Sequence, residues 1–237
     1  LIGKDIKGMK IAIPKFLMSD IVSSEIKEKI EEIVKLLEAS SVTVDYIDIK
    51  YIENAMTLYQ IIAMGEASSN LARYDGLRYG YSESNPDNIM DLYLKTRTDG
   101  FGEEVKRRIM VGSYLLSGEN AKIYYNKALS IRDDIAKEFS KAFEKYDLII
   151  GPTTTTTAYD LTDPMDDPLK SFMDDVLVIP VNMAGLAGMN LPIGFSKEKM
   201  PIGMHIIGNY FDEAKMYQLA SFIEKRLNLN LTPGGEE

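Results

Sequence analysis

The stretch Met9–Ile47, MKIAIPKFLMSDIVSSEIKEKIEEIVKLLEASSVTVDYI, decides the fold. In Met9-Lys10-Ile11-Ala12-Ile13 apolar side chains stand at alternate positions between Gly8 and Pro14, which is the period of a strand. After Ser23 or Ser24, either of which can cap a helix, Ile26, Ile30, Ile33, Val34 and Leu37 recur at steps of three and four and make one apolar stripe. Val42, Val44 and Tyr46 then return to period two. Strand, helix and strand in this order, with a connection long enough for a crossover, predict a parallel pair covered by a helix and so an α/β fold.

Working outward, residues near 53–72 read as a second helix rich in small side chains (Ala63, Gly65, Ala67, Ser68, Ser69), which lets another backbone approach closely. The tyrosine-rich stretch 74–93 contains Gly76, Gly80 and Asn85-Pro86 and predicts turns before a short helix. Glu103–Ser117 and Asn120–Lys145 read as two further helices, and Tyr146–Ile150 as a buried strand ending at Gly151-Pro152. The threonines at 153–157 and the prolines at 164 and 168 predict a long surface loop. Val176–Ile179, Asn190–Phe195 and Ile202–Ile207 are expected strands, Asp212–Leu227 a closing helix, and the tail from Thr232 a frayed end. No repeat or linker divides the chain.

With 237 residues, 45% of them hydrophobic and 27% charged, the chain has enough apolar material for a sizeable core. Its formal charge of −9 opposes a phosphate backbone, so a direct grip on nucleic acid is not expected. The absence of cysteine excludes disulfides, zinc–thiolate sites and cysteine nucleophiles. The apolar runs are too short to span a bilayer and residues 1–20 lack the order of a secretion signal, so a cytoplasmic location is expected. Leu1-Ile2-Gly3 lacks an initiator methionine, which suggests a sequence beginning inside a longer one.

Amide or ester hydrolysis requires an activated nucleophile, a base and donors for an oxyanion. No G-x-S-x-G elbow, glycine-rich phosphate loop or H-E-x-x-H is present, and a histidine-based triad would rest on His205 alone. Between Met204 and Ile206 in a strand-like run, His205 reads as structural.

Six blocks in order, Glu66–Tyr81 (EASSNLARYDGLRYGY), Thr96–Ser117 (TRTDGFGEEVKRRIMVGSYLLS), Asp147–Ala158 (DLIIGPTTTTTA), Asp166–Leu169 (DDPL), Pro180–Gly188 (PVNMAGLAG) and Met200–Glu213 (MPIGMHIIGNYFDE), resemble the amidase signature family. The first two are similar to the A subunits of tRNA-dependent amidotransferases. PVNMAGLAG and MPIGMHIIG are widespread in the superfamily. The sequence departs from the family pattern at Ala187 and Asn190, where many relatives carry proline and serine, and in the proline-free threonine run 153–157.

The resemblance implies part of the amidase signature fold: a mixed, mostly parallel sheet flanked by helices, with residues 1–237 as the carboxyl-terminal half of a single amidase domain without internal boundary. The family's nucleophilic serine, its second serine and its lysine lie in the amino-terminal half, so no catalytic residue is expected here and the isolated chain is expected to be inert. What this half is expected to contribute is glutamine recognition. By similarity, Arg108 matches the arginine that binds the α-carboxylate, Asp175 the acid that binds the α-ammonium, and Tyr59 a tyrosine lining the pocket. Guanidinium is a planar, permanent fork suited to carboxylate, and a site built for two charges rejects an uncharged amide.

The whole enzyme implied by the resemblance releases ammonia from glutamine for a partner that amidates glutamate, or aspartate, on mischarged tRNA, converting Glu-tRNA(Gln) to Gln-tRNA(Gln). Implied partners are subunits B and C of a heterotrimer, with tRNA reached through the partner; ATP and magnesium are used by the partner, and no cofactor or metal is expected in this chain. Two alternatives stand beside this: a fragment of a small-molecule amidase, and a stand-alone assembly module without catalysis. A half-fold is also expected to expose an apolar face and to associate through it.

Overall fold

The computed structural model describes residues 2–160, 162 and 173–229. These fall into two compact units, drawn from Leu1–Met56 with Asp133–Glu237 and from Thr57–Arg132.

The first unit is built on a mixed five-stranded sheet in the order β2-β1-β3-β5-β4. β1 (Lys10–Pro14) pairs in parallel with β2 (Thr43–Ile47) and with β3 (Leu148–Pro152), while β5 (Pro201–Gly208) runs antiparallel to β3 and to β4 (Ala187–Phe195). The expected parallel pair is therefore present, with α1 (Ser24–Ala39) as its crossover. All five stripe residues of α1 are buried, together with Ile11, Ala12 and Ile13 of β1. Ser23 occupies the N-cap position, but its side chain makes no capping bond; its N–H donates instead to the Thr155 carbonyl at 2.9 Å. A reciprocal pair starts the β1–β3 ladder: the Lys10 N–H donates to the Asp147 carboxylate at 3.0 Å, and the Asp147 N–H to the Lys10 carbonyl at 2.7 Å.

The second unit is helical. It takes in most of α2 (Ala55–Leu71), then α3 (Ile89–Gly100) and α4 (Glu103–Leu116), and a π-helical turn at Ala121–Tyr125 that leads into α5 (Asn126–Phe143). α3 is capped by the Asn88 side chain, which accepts from the Asp91 N–H at 3.0 Å. One uninterrupted helix from Asn120 was expected. The helix does run on from Asn120, widened into a π turn over its first residues, and the turn presents Tyr125, whose ring packs on Gly65 and whose hydroxyl donates to Glu66.

The expectation of a strand at Val176–Ile179 is corrected. The Asp175 carbonyl accepts from the N–H groups of Val178 and Ile179, both at 3.0 Å, and the chain winds into the short helix α6 (Ile179–Ala184). Pro180 in the first turn of α6 is the physical reason, since its fixed φ suits a helix start and it has no N–H for a ladder. α7 (Glu213–Leu227) closes the unit against β4 and β5, burying Met216, Leu219, Ala220 and Ile223. The block Asp166–Leu169, the prolines at 164 and 168 and the tail from Thr232 lie outside the described residues.

Candidate functional site

The three residues singled out for ligand recognition belong to different elements. Tyr59 is half-buried in the first half of α2, beside the buried Leu58. Arg108 is on α4 and Asp175 precedes α6. Tyr59 and Arg108 are in the helical unit and Asp175 is in the sheet unit.

Within the helical unit, α2 and α4 touch backbone to backbone, Gly112 against the Met64 carbonyl. A Cβ on Gly112 would fall 2.7 Å from the Ser68 Cβ and would collide with the Met64 carbonyl. Only glycine permits this approach. The Ser68 and Ser113 hydroxyls then hydrogen bond across the gap at 2.9 Å. This is the close approach that the small residues of α2 predict. Tyr59 stands five residues before Met64, and Arg108 four before Gly112, so each is little more than a turn from the crossing.

Arg108 is held at one atom. Its Nε donates to Glu104 Oε1 at 2.7 Å, an i,i+4 pair, while Arg107 takes both Glu104 oxygens through Nε and Nη2, each at 2.7 Å. Bonds from Arg107 first and Arg108 second hold the Glu104 carboxyl down at about 2, so it stays ionised across the working pH range. Among the described residues, no protein group bonds the terminal nitrogens of Arg108. Fixing Nε leaves the outer edge of the guanidinium available for a second anion. The clamp by Glu104 was missed in reading the sequence, although a glutamate four residues before an arginine on one helix is its signature.

Asp175 is exposed, whereas its neighbour Asp174 is partly covered and Val176 and Leu177 are buried. The carboxylate of Asp175 thus sits at the solvent end of a turn whose carbonyl is already used in starting α6.

The sheet unit also carries a polar group at the β3–β5–β4 junction. Thr153 donates its hydroxyl to Asn190 Oδ1 at 2.5 Å, and its N–H to the Gly203 carbonyl at 3.2 Å. His205, paired across the ladder with Gly151 and Asn190, is only 7% exposed. Its Nδ1 has no hydrogen-bond partner among the described residues, and burial pushes its pKa down to about 4. The imidazole is therefore neutral at pH 7 and lies over Gly188, where a Cβ would be 2.5 Å from Nε2. The structural role expected for this residue agrees with that packing.

A comparison with protein families matches the amidase family over residues 2–216, across both units. The A subunit of the glutamyl-tRNA(Gln) amidotransferase of Streptococcus gordonii is 48% identical over 223 residues, which is 94% of this chain and 46% of that protein. That of Oceanobacillus iheyensis is 45% identical over 222 residues, with the same coverage of 94% and 46%. Among solved structures, the A subunit of the Thermotoga maritima glutamyl-tRNA(Gln) amidotransferase superposes with a TM-score of 0.72 at 33% identity, covering 99% of this chain and 45% of that one. A bacterial aryl acylamidase of the amidase signature family matches at TM-score 0.70 and 16% identity, a likeness of fold alone. The chain spans about half the length of the curated relatives it matches. A mixed sheet flanked by helices, a family match running almost end to end and close relatives within one subunit type agree: the chain belongs to the amidase family and corresponds to the carboxyl-terminal half of its glutamyl-tRNA(Gln) amidotransferase A subunits.

Proposed function

We propose that this chain is the glutamine-recognising part of an amidotransferase A subunit, whose whole form hydrolyses glutamine and supplies ammonia for conversion of Glu-tRNA(Gln) to Gln-tRNA(Gln). The observation that carries the reading is the 48% identity to such a subunit over 94% of the chain. The state of Arg108 supports it, because a guanidinium pinned at Nε and open at its outer edge is prepared for a carboxylate. In this reading Arg108 takes the α-carboxylate of glutamine, Asp175 its α-ammonium, and Tyr59 lines the pocket. The nucleophile comes from the remaining length of the subunit. The partners are subunits B and C of a cytoplasmic heterotrimer, with ATP, magnesium and mischarged tRNA handled by the partner.

The test uses the full-length protein in complex with its partners. Arg108→Ala should raise the KM for glutamine by about 10- to 100-fold, the worth of one charged hydrogen-bonded contact. Amidation driven by free ammonia should be unchanged. An unaltered glutamine KM, or an equal loss with ammonia, refutes the assignment.

A further inference from the structure

The helical unit carries a groove of about 540 Å³ between α3 and α4, lined by Tyr93, Leu94, Arg97, Phe101, Ile109 and Met110. Two of its apolar members are strongly exposed, Leu94 at 62% and Met110 at 73%, while Tyr93, Phe101 and Ile109 are partly covered. Exposed apolar surface continues along both helices, through Ile89 and Met90 on α3 and Tyr114 on α4. Lone exposed apolar side chains are ordinary, but a contiguous strip is not. Twelve residues of α3 give the strip a length of roughly 18 Å. That is too long for a small ligand and suits three turns of a docked helix.

The charge in the groove is of one sign. Arg97 donates to the carbonyls of Leu71 at 3.0 Å and Tyr74 at 3.1 Å, and its guanidinium lies 5.0 Å from the Phe101 ring centre. Carbonyls and an aromatic face orient the cation without neutralising it. Among the described residues no carboxylate pairs with Arg97. Lys106, on the same wall, has only the exposed Glu103 at 3.1 Å. An occupant that covered this groove without supplying a carboxylate would leave Arg97 desolvated and without a counter-charge, which is unfavourable.

We infer that the α3–α4 groove is a docking site for an amphipathic helix of a separate protein chain, apolar at i, i+3, i+4 and i+7 and acidic along its flanks. The site is independent of the amide chemistry proposed above, since neither Tyr59, Arg108 nor Asp175 lines it. Its failure and the failure of that reading are separately visible.

The probe is a pair of labelled 18-residue helical peptides with the same leucine stripe, one flanked by glutamates and one by lysines, titrated by fluorescence anisotropy into the full-length subunit and into the 237-residue chain. Binding to the chain that the full-length subunit does not show overturns the proposal in favour of the remaining length of the same subunit as the occupant. The glutamate peptide should bind at least about tenfold more tightly than the lysine peptide, a difference of roughly 1.4 kcal/mol. Leu94→Asp with Met110→Asp should abolish binding, and Lys106→Glu should erase the preference between peptides. Circular dichroism confirms that each variant is folded. Lack of binding by the glutamate peptide, or equal binding of both, overturns the proposal. Binding to phosphatidylcholine–phosphatidylglycerol vesicles that is lost in the Leu94→Asp, Met110→Asp variant overturns it in favour of a membrane surface. A dimer by light scattering that the same variant dissolves overturns it in favour of a second copy of this chain.

Discussion

His205 is the only histidine in the chain, so its titration can be observed without assignment. Burial lowers its pKa to about 4, from 6.5 in an unfolded chain. The difference of about 2.5 pH units corresponds to about 3 kcal/mol between the two protonation states. The folded pKa is the lower one, so the unfolded chain takes up the proton first. The stabilisation is thus complete above pH 6.5 and is lost as pH falls towards 4. Of the total, about 2 kcal/mol is lost between pH 7 and pH 5, before most carboxylates titrate. Two measurements check this. The imidazole C2 proton should move in NMR spectra with a midpoint near pH 4. Urea unfolding at pH 7 and pH 5 should show a loss of about 2 kcal/mol that His205→Leu removes. A midpoint between 6 and 7, or the same pH dependence in His205→Leu, would refute the claim that this ring is desolvated and without a proton acceptor.

The α2–α4 crossing makes a second prediction: Gly112→Ala should destabilise the helical unit by about 1–3 kcal/mol in thermal unfolding, because the new methyl meets the Met64 carbonyl and Ser68. Gly102→Ala, where a Cβ meets nothing within 4 Å, should cost only the loss of a preferred N-cap residue, about 1 kcal/mol or less, and equal effects would contradict the packing. At Glu104, Glu104→Gln weakens the hold on Arg108 Nε. In the assembled full-length enzyme it should raise the glutamine KM several-fold while leaving kcat and ammonia-driven amidation unchanged, and a fall in kcat alone would show that Glu104 does not act through Arg108.

The regular elements were legible wherever one period ran long enough to stand clear of noise. The stripe from Ile26 to Leu37 and the alternation of β1 and β2 fall in this class. The stretch Val176–Ile179 was misread because four apolar residues have no period of their own, and the deciding features were Pro180 and the double acceptance by the Asp175 carbonyl. The π turn before Asn126 was invisible because its cause is tertiary, the seating of Tyr125 on Gly65. Of the site, the identity of Arg108 came from its motif, and its availability came only from geometry, in the single bond to Glu104. His205 shows the same division: its strand setting was readable, while its missing Nδ1 partner depends on what surrounds it in space.

The strand order leaves β2 and β4 as the margins of the described sheet. They are unequal as templates. β4 carries Pro192, which has no N–H to offer a neighbour, and a register shift between Pro192 and Gly194. An incoming strand there would find a continuous row of donors and acceptors only along Ala187–Leu191. β2 offers five uninterrupted residues, Thr43–Ile47, with Asp45 as the only charged side chain among them. Lateral growth of this sheet, whether by a natural neighbour or by unwanted pairing between copies, should therefore begin at β2, and a lysine placed at Thr43 or Ile47 is the economical way to blunt it.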